Sequence, residues 1–154
     1  MTNVSKATLT KETMPVQVLL IEDNLPDALL VREALRAHAI EFTLHEAADA
    51  EQAVAYVERM GCAAQSPYPD VVILDLNLPG GDGLGVLETF RKREMCVNTP
   101  VIVMTSSESP NDRARVAQMG NARFFRKPPE LDAFLDIGRL VREVLNKNTV
   151  SAGC

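Results

Sequence analysis

Val71-Val72-Ile73-Leu74-Asp75-Leu76-Asn77-Leu78-Pro79-Gly80-Gly81 reads as a buried strand that carries a carboxylate to its carboxyl end and then turns away. The pattern recurs where Val18-Leu19-Leu20-Ile21 runs into Glu22-Asp23-Asn24 and where Val101-Ile102-Val103-Met104 runs into Thr105-Ser106-Ser107. Two further β-branched or aromatic runs bring the expected strands to about 16–21, 42–47, 70–74, 100–104 and 122–126. Segments with helical spacing separate them. Such alternation implies parallel strands, right-handed crossovers and helices on both faces, an α/β doubly wound five-stranded sheet. The order 2-1-3-4-5 is inferred because it sets strands 1 and 3 at a switch point, where Glu22, Asp23 and Asp75 meet beyond the carboxyl ends.

Capping signals mark the helices. Asn24 is a good N-cap, Pro26 is tolerated in the first turn, Asp27 is placed to reach back, and Ala28, Val31 and Leu35 share a face. A second helix starts after Asp49 and stops at Gly61, and the Pro-containing stretch 61–69 forms a long surface loop. The last helix is expected from about Glu130 to Asn146, with Phe134, Ile137, Val141 and Val144 on its apolar face. Residues 1–15 are expected as a flexible extension, 16–146 as the single domain and 147–154 as a flexible tail.

Composition narrows the function. A net charge of −5 with interspersed signs argues against a nucleic-acid surface, which needs a clustered basic stripe. Cys62, Cys96 and Cys154 are odd in number and far apart, and only His38 and His45 could join them, so reduced cytosolic thiols are expected rather than a metal site. No apolar run reaches the ~20 residues of a membrane span, and the polar start lacks a secretory core. The expected location is the cytoplasm.

Three carboxylates held close together repel unless a cation sits among them. Magnesium suits such oxygen ligands, so Glu22, Asp23 and Asp75 are candidate ligands, with the main-chain carbonyl of Asn77 completing the set. Taken singly, an acidic pair at a strand end is more often a cap or a solvated loop. Lys127, after the fifth strand and before Pro128-Pro129, would alone be a solvated charge; beside Asp75 it pairs with that carboxylate and with a phosphoryl oxygen. Thr105 alone would be the N-cap of the helix near Pro110, and beside an anion site it becomes a sensor. Metal, lysine and hydroxyl together stabilise a phosphoryl group moving to Asp75.

LLIEDN, LDLNLPGGDG, VIVMTSS and RKPP together resemble the receiver domain of two-component response regulators, over about residues 16–146. The resemblance implies the flavodoxin-like receiver fold, with Glu22 and Asp23 as the acidic pair, Asp75 as phosphoacceptor, Lys127 as the lysine, and Thr105 and Phe124 as switch hydroxyl and aromatic. It further implies a small residue at Gly83 opening the third helix, a cis Lys127–Pro128 bond, and tuning of dephosphorylation by Asn77 and Ser107, the short Ser107 leaning towards a longer-lived phosphate. A sensor histidine kinase is the implied partner. The long loop and the Asn121–Pro128 stretch resemble stand-alone regulators paired with bacterial phytochrome histidine kinases. With few residues after 146, output is expected through a protein contact or onward phosphotransfer. In Arg123-Phe124-Phe125-Arg126 one ring should face inward and the other lie exposed at the surface, unless helices cover both. That subgroup implies a homodimer through the fourth helix, fifth strand and fifth helix.

Three alternatives share parts of this pattern. A haloacid-dehalogenase-like phosphatase also uses a strand-end aspartate, but wants a second aspartate where Asn77 stands. A receiver-like interaction module would have lost an acid or the lysine. A flavodoxin-like cofactor binder needs a phosphate loop in place of acids.

Overall fold

The computed structural model describes residues 14–62, 64–80, 82–106 and 109–153. Five parallel strands form one sheet in the order β2-β1-β3-β4-β5. They are β1 Val16–Ile21, β2 Phe42–Ala47, β3 Val71–Asp75, β4 Val101–Thr105 and β5 Ala122–Arg126. The expected order and helical layers are therefore present. Every residue of β3 and β4 is buried, which is why these two strands appear as unbroken aliphatic runs. The edge strands β2 and β5 are mostly half-buried.

Side-chain alternation divides the sheet into two cores. Val18, Leu20, Ile73, Ile102 and Met104 face one layer. There they meet Val31 and Leu35 of α1, Leu25–Ala37, and Ile137 and Val141 of the last helix. Leu19, Ile21, Leu74 and Val103 face the other. That side is covered by α2 (Ala50–Arg59), α3 (Gly83–Arg91) and α4 (Pro110–Ala117). Helix α4 fully buries Val116 alone among its residues.

Local chemistry sets the boundaries. The Asn24 side chain caps α1 by accepting from the Asp27 amide at 2.9 Å, and Asp49 caps α2 by accepting from Gln52 at 2.8 Å. Tyr56 donates its hydroxyl to the Pro67 carbonyl at 2.7 Å, tying the 61–69 loop to α2.

Four sequence expectations change. Helix α4 is capped by Ser109, whose hydroxyl accepts from the Asp112 amide, so Thr105 does not act as its N-cap. The single last helix is two: α5, Leu131–Phe134, and α6, Ile137–Gly153. Tight bonds from Asp136 N to Ala133 O and Gly138 N to Leu135 O break it, at residues with poor helix propensity. Helix α6 continues past Asn146 to Gly153 because no proline or glycine stops it earlier, so the segment read as a tail has helical backbone. The Lys127–Pro128 bond is trans, since the described residues contain no cis peptide; trans is the favoured isomer, and the Lys127 N–H is anchored on the Thr105 carbonyl at 2.8 Å.

Neither phenylalanine of β5 is exposed. Phe124 packs on one core with the Arg113 guanidinium 4.8 Å from its ring centre, and Phe125 packs on the other, edge-on to Phe134 at 6.0 Å. Among the described residues no helix is long and apolar enough to cross a membrane. Residues 1–13, Ser107 and Cys154 lie outside the described residues.

Candidate functional site

The carboxyl end of the sheet gathers the polar termini of its strands. Glu22 and Asp23 follow β1, Asp75 closes β3, Thr105 closes β4 and Lys127 follows β5. Because β1 and β3 are neighbours whose crossovers leave in opposite directions, their ends open a crevice. Carboxylate oxygens of Glu22, Asp23 and Asp75 lie within 4.8 Å of one another there. Glu22, Asp75 and Thr105 are buried, and Asp23 is exposed at the mouth.

Lys127 crosses from the far edge of the site to meet these acids. Its Nζ lies 2.9 Å from Glu22 Oε2, 2.9 Å from Asp75 Oδ2 and 2.6 Å from Asp27 Oδ2. The other Asp75 oxygen accepts from the Asn77 amide at 2.8 Å, and the Asn77 side-chain amide donates to the Thr105 hydroxyl at 2.9 Å. Asp75 is thereby oriented by a charge on one oxygen and a main-chain N–H on the other. Beside Asn77, a cleft of about 300 Å³ is lined by Asp82, Leu84, Asp112 and Arg115.

Electrostatics follow from this crowding. Burial pushes Glu22 up to about 7; the Asn24 amide and Lys127 oppose that rise, and the Asp75 charge adds to it. Burial alone would lower the Lys127 ammonium, but the close carboxylates of Asp27, Asp75 and Glu22 outweigh it and hold the group above its ordinary value.

The donor set fits a hard divalent cation. Of the cluster's three carboxylates only Glu22 and Asp75 pair with the Lys127 ammonium, which Asp27 also shares, leaving negative charge that a doubly charged ion offsets. Glu22 Oε2 is buried and, despite its nearness to Lys127, lacks a hydrogen bond of acceptable geometry, so it has lone-pair capacity for a metal.

The structure brings together Glu22, Asp23, Asp75, Asn77, Thr105 and Lys127. Phe124 stands apart from them, opposite Val103 in the β4–β5 register. Sequence reading missed Asp27 as a partner of Lys127. Its place in the first turn of α1 accounts for its backbone but gives no hint that its carboxylate meets a lysine 100 positions away.

Gly83 shapes the turn that follows Asp75. A Cβ there would lie 2.7 Å from Leu76 Cα, 2.8 Å from the Leu76 carbonyl oxygen and 3.0 Å from that of Asp75, all backbone atoms. Gly83→Ala is therefore expected to push α3 off the end of β3 and destabilise the fold by about 1–3 kcal/mol. A thermal melt indistinguishable from that of the parent protein would contradict this.

Residues 18–138 match the family model described as the response regulator receiver domain. The chain is 36% identical over 98 residues to the response regulator Rcp1 of Synechocystis sp., covering 64% of this chain and 67% of that protein. It spans 42% of the transcriptional regulatory protein TrcR of Mycobacterium tuberculosis, at 34% identity over 77% of this chain. Among solved structures, the phosphorylated cyanobacterial phytochrome response regulator RcpA superposes with a TM-score of 0.76 at 27% identity, covering 88% of this chain and 96% of that one. The Mn(2+)-bound form of Rcp1 gives 0.72 at 30% identity, covering 82% and 91%. RPA3017, from red light signaling of R. palustris, gives 0.69 at 31% identity, with the same coverage. The chain thus belongs to the response regulator receiver domain family, and is related within it to the phytochrome response regulators.

Proposed function

We propose that this protein accepts a phosphoryl group on Asp75 from a sensor histidine kinase and signals through the resulting change in its surface. The observation that carries the reading is the position of Asp75: its Oδ2 lies 2.9 Å from the Lys127 ammonium, and the carboxylate belongs to the acidic cluster suited to a divalent cation. Receiver domains bind a divalent metal, and we assign Mg²⁺, held by Glu22, Asp23, Asp75 and the Asn77 carbonyl. Bound there, the metal supplies charge neutralisation at the phosphoryl oxygens. An Asp75 oxygen forms the new bond to phosphorus as the P–N bond to the kinase histidine breaks, its electron pair returning to the imidazole. Lys127 offsets charge on the group in transit. Thr105 then turns to the phosphoryl group, leaving its bond to Asn77, and Phe124 moves into the space released.

Asn77 weighs against a hydrolase of the haloacid-dehalogenase type, since an amide gives no acid/base group and this one is committed to Thr105. The relatives named for phytochrome and red-light signalling support a bacteriophytochrome as the kinase. A cytoplasmic site of action is part of the same proposal. The output is a protein partner or onward phosphotransfer.

Incubation with acetyl phosphate and Mg²⁺ should add one phosphoryl group, mapped by peptide mass to Asp75, and Asp75→Asn should gain none. Equal labelling of that variant would overturn the assignment. Self-association through α4, β5 and the α5–α6 segment is part of the proposal, but it rests on the resemblance to the phytochrome-linked subgroup and not on an exposed aromatic. Light scattering should detect a larger species when beryllofluoride is added; a strict monomer in both states would remove the dimer and leave the phosphoacceptor reading untouched.

A further inference from the structure

Lys127 donates hydrogen bonds to Asp27 and Asp75 and lies 2.9 Å from Glu22 Oε2 as an ion pair, so three carboxylates share one ammonium. Two of those carboxylates, Glu22 and Asp75, belong to the cluster suited to a divalent cation, and Asp27 does not. A cation bound by Glu22 and Asp75 draws on the oxygens that now hold the ammonium and repels it by like charge. Asp27 is then the one carboxylate left wholly to the lysine. Its contact is also the shortest of the three, 2.6 Å, and its backbone is fixed by the Asn24 cap of α1. Both side chains are shielded, at 13% exposure for Lys127 and 23% for Asp27.

We propose that Asp27 is a positioning residue that keeps the Lys127 ammonium beside Asp75 once a divalent cation has occupied Glu22, Asp23 and Asp75. This rests on the phosphoacceptor reading above. Asp27 touches neither the metal nor the phosphoryl group; it acts by denying the lysine a retreat into solvent. In the absence of metal its loss matters little, because Glu22 and Asp75 hold the ammonium between them. With metal bound, its loss frees a long, flexible side chain at the step that needs it fixed.

Full-length parent protein, Asp27→Asn and Asp27→Glu separate this role from a mere tie between α1 and the end of β5. The readouts are the labelling rate with acetyl phosphate across a Mg²⁺ titration and the Lys127 side-chain ammonium signal in nitrogen-15 NMR with Mg²⁺ alone. Asp27→Asn should lower the plateau labelling rate roughly tenfold or more while leaving the half-saturating Mg²⁺ concentration essentially unchanged. Its Lys127 signal should be retained without Mg²⁺ and lost to fast exchange with it. Asp27→Glu should recover part of both. An unchanged or faster plateau rate, or a Lys127 signal that persists in Mg²⁺-bound Asp27→Asn, would overturn the proposal; a faster rate would mean that Asp27 competes with the phosphoryl group for the ammonium. Should the parent protein take no label at all, the phosphoacceptor reading fails, while the NMR measurement with Mg²⁺ alone still judges whether Asp27 holds Lys127.

Discussion

Lys127→Met is expected to destabilise the metal-free protein by about 3–5 kcal/mol and to reduce phosphoryl transfer to Asp75 by about two to three orders of magnitude. Glu22, Asp27 and Asp75 all meet the same ammonium, and Glu22 and Asp75 are buried. Removing it leaves three carboxylates facing each other with no cation among them. Since the folded ammonium is held above its ordinary value, its contribution is complete at neutral pH and disappears only in strong alkali, as pH rises through the folded value. Magnesium should therefore stabilise the variant more than it stabilises the parent protein, replacing part of the missing positive charge. Chemical denaturation with chelator and with Mg²⁺ measures both effects. Equal stability of variant and parent in chelator would mean that the three contacts contribute nothing net.

The second large effect is expected far from the chemistry. Arg91, the last residue of α3, gives Nε to the Met119 carbonyl at 3.1 Å and Nη1 to those of Cys96 and Thr99 at 2.8 and 2.6 Å. Its Nη2 reaches the carbonyls of Gly120 and Asn121 at 2.8 and 3.1 Å. One guanidinium thereby joins the segment before β4 to the turn before β5. Burial lowers its pKa, a desolvation cost met by carbonyl dipoles, because no carboxylate among the described residues pairs with it. Arg91→Met keeps the bulk and removes every bond, so stability should fall by about 2–4 kcal/mol, chiefly from the three half-buried bonds. The melting temperature should drop by roughly 5–15 °C. Arg91→Lys should rescue little, since an ammonium cannot reproduce the planar fork. A melt unchanged in Arg91→Met would sink this account.

The strands and most of the site were legible in the sequence for one reason. Buried parallel strands must be apolar along their whole length, so a charge at the end of such a run, as at Glu22 or Asp75, stands out and also marks the edge where ligands bind. What escaped notice depends on geometry that no local pattern encodes. The Asp27 contact needs the relative placement of α1 and β5, and the Asn77–Thr105 bond needs the β3–β4 register. Capping by Ser109 instead of Thr105 turned on where α4 begins, and helix boundaries are the weakest part of any pattern reading. Exposure of a β5 phenylalanine was inferred from alternation, but alternation only assigns a face; it does not reveal that both faces are covered.

Helix α4 is attached to the body of the protein by one fully buried side chain, Val116, and it begins only a few residues after Thr105. Local opening free energy tracks the apolar contact that must be given up, so this helix belongs to the low end of the stability spectrum while β3 and β4 belong to the high end. In the proposed mechanism, a Thr105 hydroxyl that gives up its bond to Asn77 would work against a small restoring force on one side and a rigid sheet on the other. A change begun at Asp75 as proposed would be directed outward, into a helix with little buried contact to resist it, and away from the strands that hold the acids in place.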